Sequence, residues 1–196
     1  MKLLMESWRK YLFNEGMKQI EDLPDEAYIS IRKNTGQKGN VYYEIKYADE
    51  SGEDLKPSDI SQPYGKVVIG SPGKEPCDGA LQVDLAYASR GWGPLLYDVA
   101  MEYATEIANG LTAGRLSVSG AAREVWKYYL NKRDEVTAHQ LDDVYNTLTR
   151  KGEDNCVQTS SRGRWGEDDY WEFSPLSKRY TKKREVMDIL GDKLIL

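Results

Sequence analysis

Along the chain the spacing of apolar positions changes several times, and each change marks an element. In 27-AYISIRKN-34 and 41-VYYEIKYADE-50, β-branched and aromatic residues dominate, and the polar join from Gly36 to Asn40 suits an antiparallel hairpin. An acidic, proline-containing loop runs from Ser51 to Tyr64. Two further strands are expected at 66-KVVIGS-71 and 79-GALQVDLAYA-88, separated by the loop 71-SPGKEPCDG-79. A period of two in the second sets Leu81, Val83, Leu85 and Tyr87 on one face and Gln82, Asp84 and Ala86 on the other.

Helical spacing appears in four places. The opening MKLLMESWRKYLFNEG sets Leu4, Trp8 and Tyr11 or Leu12 on one face, with Glu6 and Lys10 as an i,i+4 pair and Gly16 as a stop, so residues 1–16 read as an amphipathic helical appendage. Leu96, Val99, Ala100, Tyr103 and Ile107 make a second stripe, ended by Gly110, with Pro94 where a first turn tolerates proline. After a short strand at 115-RLSVS-119, a helix from about Gly120 to Asn131 carries Ala122, Val125, Trp126 and Tyr129 on one side. Thr137 followed three residues on by Gln140 has a capping-box pattern and predicts another helix bearing Leu141, Val144, Tyr145 and Leu148. Residues 151–169 read as loop, 170-YWEFS-174 as a returning strand, and Arg184 to Leu190 as a terminal helix. The order predicts one mixed α/β domain over 17–196, with an extension from about residue 132.

Composition narrows the function classes. The chain has 196 residues, 40% hydrophobic and 30% charged, and no apolar run approaches the roughly 20 residues that would span a bilayer, which argues against a membrane role. A net charge of −5 and pI near 5.1 work against general nucleic-acid binding, which depends on cations displacing counterions. The one basic cluster, 178-KRYTKKR-184, reads as a solvated face or a contact for an acidic partner. Cys77 and Cys156 lie far apart without metal-ligand spacing, and no secretion leader is recognisable, so both thiols are expected free in a reducing cytoplasm. The sole histidine, His139, is expected at the surface.

The break Arg-Gly-Trp-Gly-Pro, between a strand and a helix, is the chain's strongest chemical signal. Free N–H groups and the helix dipole both point at such a turn, which suits an anion. A dinucleotide fingerprint would need a glycine where Leu96 stands, and a Walker loop would need Gly-Lys-Ser/Thr, leaving coenzyme A as the best-fitting ligand.

Here the chain resembles the GCN5-related N-acetyltransferase (GNAT) superfamily, whose central motif runs Gln/Arg-x-x-Gly-x-Gly/Ala between the fourth strand and the next helix. Gly91 and Gly93 in 83-VDLAYASRGWGPLL-96 take the glycine positions, and 115-RLSVSGAAREVWKYYL-130 is similar to that family's following strand and helix. Ala88 stands where the motif opens, Pro94 lacks one N–H, and Trp126 stands where a general-acid tyrosine falls. The resemblance implies a mixed, mostly antiparallel sheet flanked by helices and an acetyl-CoA-dependent transfer to an amine. Arg90, Gly91, Trp92, Gly93 and Leu95 would surround the pyrophosphate, and the backbone from Val83 to Leu85 would pair with the pantetheine arm. Asp84 would be the base, and Tyr128 or Tyr129 the acid. The opening residues also resemble leader helices of tailed-bacteriophage proteins, which implies a phage-encoded chain. A catalytically silent domain of the same fold, with a virion or host protein partner, is the alternative.

Overall fold

The computed structural model describes residues 16–37, 39–56, 59, 62–71, 77–142, 148–156 and 171–196. The helix expected over 1–16 lies outside these residues except for Gly16, as do Val144 and Tyr145. Eight strands form one mixed sheet, β1 (Tyr28–Thr35), β2 (Val41–Ala48), β3 (Gly65–Gly70), β4 (Leu81–Ala88), β5 (Leu111–Thr112), β6 (Val136–Gln140), β7 (Lys178–Lys182) and β8 (Leu194–Ile195), in the order β6-β7-β5-β4-β3-β2-β1-β8. Neighbours are antiparallel except β4 with β5 and β1 with β8. The helices are α1 (Gly93–Ile107), α2 (Gly120–Lys132) and the short α3 (Val186–Leu190).

The expected hairpin forms in register from Tyr28↔Ala48 to Thr35↔Val41. Alternation turns Ile29, Ile31, Ile45 and Tyr47 into the core, where Leu96, Val99, Ala100 and Ala104 of α1 meet them. Each fully buried aliphatic side chain adds roughly 1.5–3 kcal/mol. Trp92 anchors the start of α1 edge-on against Tyr47 at 5.5 Å, and the Tyr47 hydroxyl donates to the Trp92 carbonyl at 2.7 Å.

The single face expected for β4 is broken by a bulge. Val68 pairs with Leu85 but Ile69 pairs with Val83, so Asp84 is the extra residue and the side-chain phase flips there. Val83 is buried, whereas Leu85 is 48% and Tyr87 41% exposed, and Ala86 packs against the core instead. The strand expected at 115–119 forms earlier, as the two residues of β5, and Ser119 instead caps α2 by accepting from the Ala122 N–H at 3.2 Å.

The helix expected from Thr137 is strand β6. Its residues pair with β7 from Val136↔Lys182 to Gln140↔Lys178, and ladder bonds outweigh the local cap pattern. His139 sits half-buried there, its Nε2 2.9 Å from Thr181 Oγ1. The strand expected at 170–174 is a 3₁₀ turn over Trp171–Phe173, followed by a second over Pro175–Ser177 whose proline cannot supply a ladder N–H.

Most of the basic run 178–184 is not the solvated face that its composition suggests. Lys178–Lys182 form β7, wedged between β5 and β6, with Lys178, Arg179 and Lys182 buried, while Lys183 and Arg184 beyond the strand are exposed. Lys182 pairs with the buried Glu102 of α1, Arg179 with Asp78 at 3.0 Å, and Arg184 with Glu106 at 2.8 Å. Glu102 also accepts the N–H groups of Val186 and Met187 at 2.9 and 2.8 Å, so one carboxylate ties α1 to β7 and to the start of α3.

Cys77 and Cys156 are joined in a disulfide, which corrects the expectation of free thiols. The loop before β4 and the segment after Asp142 fold against each other, and separation along the chain carries no information about that contact. Both cysteines are buried with Leu141. The reducing compartment was inferred from the lack of a recognisable leader, and the free thiols expected to go with it are paired. Among the described residues no helix is long and apolar enough to cross a membrane.

Two outcomes follow. Lys182→Met should cost about 3–5 kcal/mol in urea unfolding, because it strands a buried carboxylate. Glu102→Gln in that background should recover part of the loss, since it removes the charge and keeps a carbonyl for the α3 N–H groups; a double variant as unstable as the sum of the singles refutes the pairing. For the disulfide, thiol titration of denatured, unreduced protein should find no free thiols. The closed segment spans a separation of 79 residues, and Cys77→Ser should lower stability by up to about 4.5 kcal/mol on loop-closure entropy.

Candidate functional site

β4 and β5 pair at only two rungs, Leu81↔Leu111 and Gln82↔Thr112. Beyond them the chain turns through Gly114, where a Cβ would lie 2.8 Å from the Val83 carbonyl oxygen, and leaves toward α2. The strands therefore part, and β4 from Val83 onward faces an opening. A cleft of about 400 Å³ lies alongside its second half. Val67, Ala86, Tyr87 and Ala88 wall it from the sheet, Ser89 to Gly91 with Gly93 and Pro94 close its turn side, and Ala121, Ala122 and Val125 of α2 face them. Four alanines give a smooth apolar wall that bulkier side chains would fill.

The turn at the cleft floor is locked. Ser89 donates from its N–H to the Tyr64 carbonyl at 2.8 Å and from its hydroxyl to the Gln62 carbonyl at 2.6 Å, and its own carbonyl accepts the Trp92 N–H at 3.1 Å. No side chain caps the start of α1, which leaves its first-turn N–H groups facing the turn. Gly91 has φ +85°, a conformation natural to glycine, and a Cβ there would collide with the Gly16 carbonyl oxygen. The Lys18 N–H donates to the Gly91 carbonyl at 3.0 Å, and Gly16 and Met17 line the cleft. A segment near the N-terminus therefore packs on the bare face of Gly91. At Gly93 a Cβ would meet only the Ala88 methyl, at 3.8 Å.

The residues singled out from sequence fall into distinct settings. Arg90, Gly91 and Gly93 line the cleft, and Arg90 is exposed. Trp92 and Leu95 bury their side chains in the core, so only their backbones could meet a ligand. Val83 is buried and Leu85 exposed, on opposite sides of the bulge. Asp84 does not line the cleft. It sits where β4 and β5 part, its Oδ1 accepting from Gln82 Nε2 at 2.6 Å and its Oδ2 2.9 Å from where a Gly70 Cβ would stand. Asp84 is exposed, yet partial desolvation raises its carboxyl pKa, with the Gln82 hydrogen bond pulling the other way.

Tyr128 and Tyr129 lie away from the cleft lining. Tyr129 is buried, its hydroxyl 3.0 Å from Asp98 Oδ1 and 3.1 Å from the Pro94 carbonyl oxygen. Arg133 donates to both Asp98 oxygens at 3.1 Å and lies over both rings, which binds α2 to α1. Tyr97 was not singled out by periodicity, yet it lines the cleft, and burial pushes its phenol up to about 12. Gln82 was placed beside Asp84 on one face of the strand but given no role, because its other partner, the Arg115 N–H, lies 33 residues away.

No family model, curated protein or solved structure matches the chain.

The two glycines should respond differently to substitution. Gly91→Ala should lower the melting temperature, because it combines a strained φ with a backbone collision, whereas Gly93→Ala should leave it unchanged or raise it through the helix propensity of alanine. Equal losses at both positions, read by thermal melts, would contradict the contact with Gly16.

Proposed function

We propose that the chain is an acyl-CoA-dependent N-acyltransferase of GNAT type, acting on an amine. The observation that carries this reading is the opening between β4 and β5 beside an uncapped, glycine-rich helix start. Such a start attracts phosphate through its free N–H groups and dipole. Among the described residues the edge of β4 beyond Gln82 has no strand partner, so it offers backbone groups to an amide-bearing arm, and the alanine wall admits its apolar stretches.

The cofactor, when bound, supplies an acyl group activated as a thioester. The residues that would hold it are the backbones of Arg90 to Leu95 at the phosphates, with Arg90 as a cation, and Val83 to Leu85 along the arm. Pro94 leaves that cradle one donor short. Asp84 removes the proton from the acceptor ammonium, and its raised carboxyl pKa brings it closer to that of a working base. Tyr97, pushed up to about 12, would be a poor acid toward a thiol that ordinarily titrates near 8.5, and none is required: the acceptor nitrogen sheds a second proton as the amide forms, which would balance the leaving thiolate. In this reading Tyr128 and Tyr129 hold α2 in place.

One observation favours a second reading, a silent domain of a phage chain that meets a virion or host protein. Gly16 already occupies the bare side of Gly91, which gives that glycine a reason independent of any phosphate. Acetyl-CoA separates the two. An acyltransferase should be stabilised by about 2.7 kcal/mol at a ligand concentration 100 times Kd. Turnover of an amine panel should rise with pH as Asp84 loses its proton, at a midpoint displaced upward from that of an ordinary aspartate, and Asp84→Asn should abolish it. No melting shift with saturating acetyl-CoA or free CoA refutes the acyltransferase reading and leaves the silent domain, whose cytoplasmic or virion location then follows its partner.

A further inference from the structure

We propose that Gln82 is the positioning residue for the base, a side-chain amide that spans the gap between the parting strands and fixes the Asp84 carboxylate. The proposal rests on the acyltransferase reading of this site. Gln82 is the last β4 residue paired with β5, and on its other side it stands opposite Gly70 of β3. Its Oε1 accepts the Arg115 backbone N–H at 3.3 Å, across the opening, while its Nε2 donates to Asp84 Oδ1 at 2.6 Å. Only this orientation of the amide satisfies both partners, since an N–H must meet an acceptor and a carboxylate a donor.

The far end of the link is firm. Arg115 is buried, with Nη2 donating to the Leu176 carbonyl at 2.6 Å and Nη1 to Cys156 Sγ at 3.1 Å. The amide is thereby referred to the turn before β7 and to the disulfide, while the carboxylate it holds sits on a bulge whose own backbone is irregular. The site needs this external reference because a bulged residue lacks a regular ladder to fix its direction. Gly70 completes the arrangement by leaving room for Oδ2. Across the sheet Asp84 meets Gly70 on β3 and, next to it, Tyr42 on β2; desolvation raises its carboxyl and the Gln82 hydrogen bond draws it back down.

Carboxyl-resolved NMR titration of the full chain, labelled at aspartate and assigned with Asp84→Asn, tests this directly. The Asp84 midpoint should move upward in Gln82→Met, which keeps bulk and loses the donor. It should move further in Gln82→Glu, which sets a second carboxylate beside the first. Acetyl-CoA should still shift the melt of both. The wild type supplies a reading that needs no substitution at Gln82: the Gln82 side-chain amide protons should titrate with the Asp84 midpoint and lose that response in Asp84→Asn. An acetyl-CoA shift together with an unmoved Asp84 midpoint in Gln82→Met, or Gln82 amide protons blind to that titration, overturns the positioning role alone. The absence of any acetyl-CoA shift in the wild type overturns the base itself.

Discussion

The buried pair of Lys182 and Glu102 holds together two parts of a sheet that would otherwise be joined by very little. β5 is only two residues long, so β4 connects to β7 through two rungs on each side of it. A ladder that short cannot keep the β6–β7 pair aligned with the rest of the sheet. Lys182 on β7 reaches Glu102 in the middle of α1, and Thr105 of α1 accepts the Lys182 N–H at 3.1 Å, so the helix splints the sheet across its weakest point. Neither charge is solvated, and each is worth having only while the other is present. The short β5 is what creates the opening; the splint is what lets the fold tolerate it.

The opening then constrains everything around it. Arg115, the first residue to swing clear, is held by the Leu176 carbonyl and the Cys156 sulfur, and the disulfide draws the segment after Asp142 onto the loop before β4. α2, which starts after the swing, is pinned to α1 by Asp98, Arg133 and Tyr129. Asp98 carries the cost of that arrangement: burial pushes its carboxyl upward against the pull of Arg133. Both sides of the cleft are thus referred to α1, and among the described residues no strand fills it.

What could be read from the sequence is what repeats locally. The β1–β2 hairpin, β3, α1 and α2 emerge within a few residues of their observed bounds because each buries a periodic face. The failures share one cause, contacts between distant segments. Thr137 and Gln140 satisfy a cap pattern and still form a strand, because β7 offers them a ladder. Arg179 and Lys182 look like a basic surface because their acceptors, on α1 and in the loops, lie many tens of residues away. Cys77 and Cys156 fail for the same reason. The bulge at Asp84 is a subtler case: a perfect alternation of apolar residues runs through it, and only the register with β3 reveals that the phase has slipped. At the candidate site the glycine turn was legible and the amide of Gln82 was not.

The turn itself shows how one motif can be over-read. Two glycines, 91 and 93, invite a single explanation, the approach of a phosphate to backbone. Their surroundings differ. Gly91 has a left-handed φ and a backbone neighbour in Gly16, so packing alone accounts for it. Gly93 is the first residue of α1, and a Cβ there would make only ordinary contact with the Ala88 methyl at 3.8 Å. Nothing in the folding of the chain calls for glycine there. The anion-binding argument therefore rests on Gly93 more than on Gly91, and on the uncapped N–H groups beside it, which have no folding role that a capping side chain would not fill better.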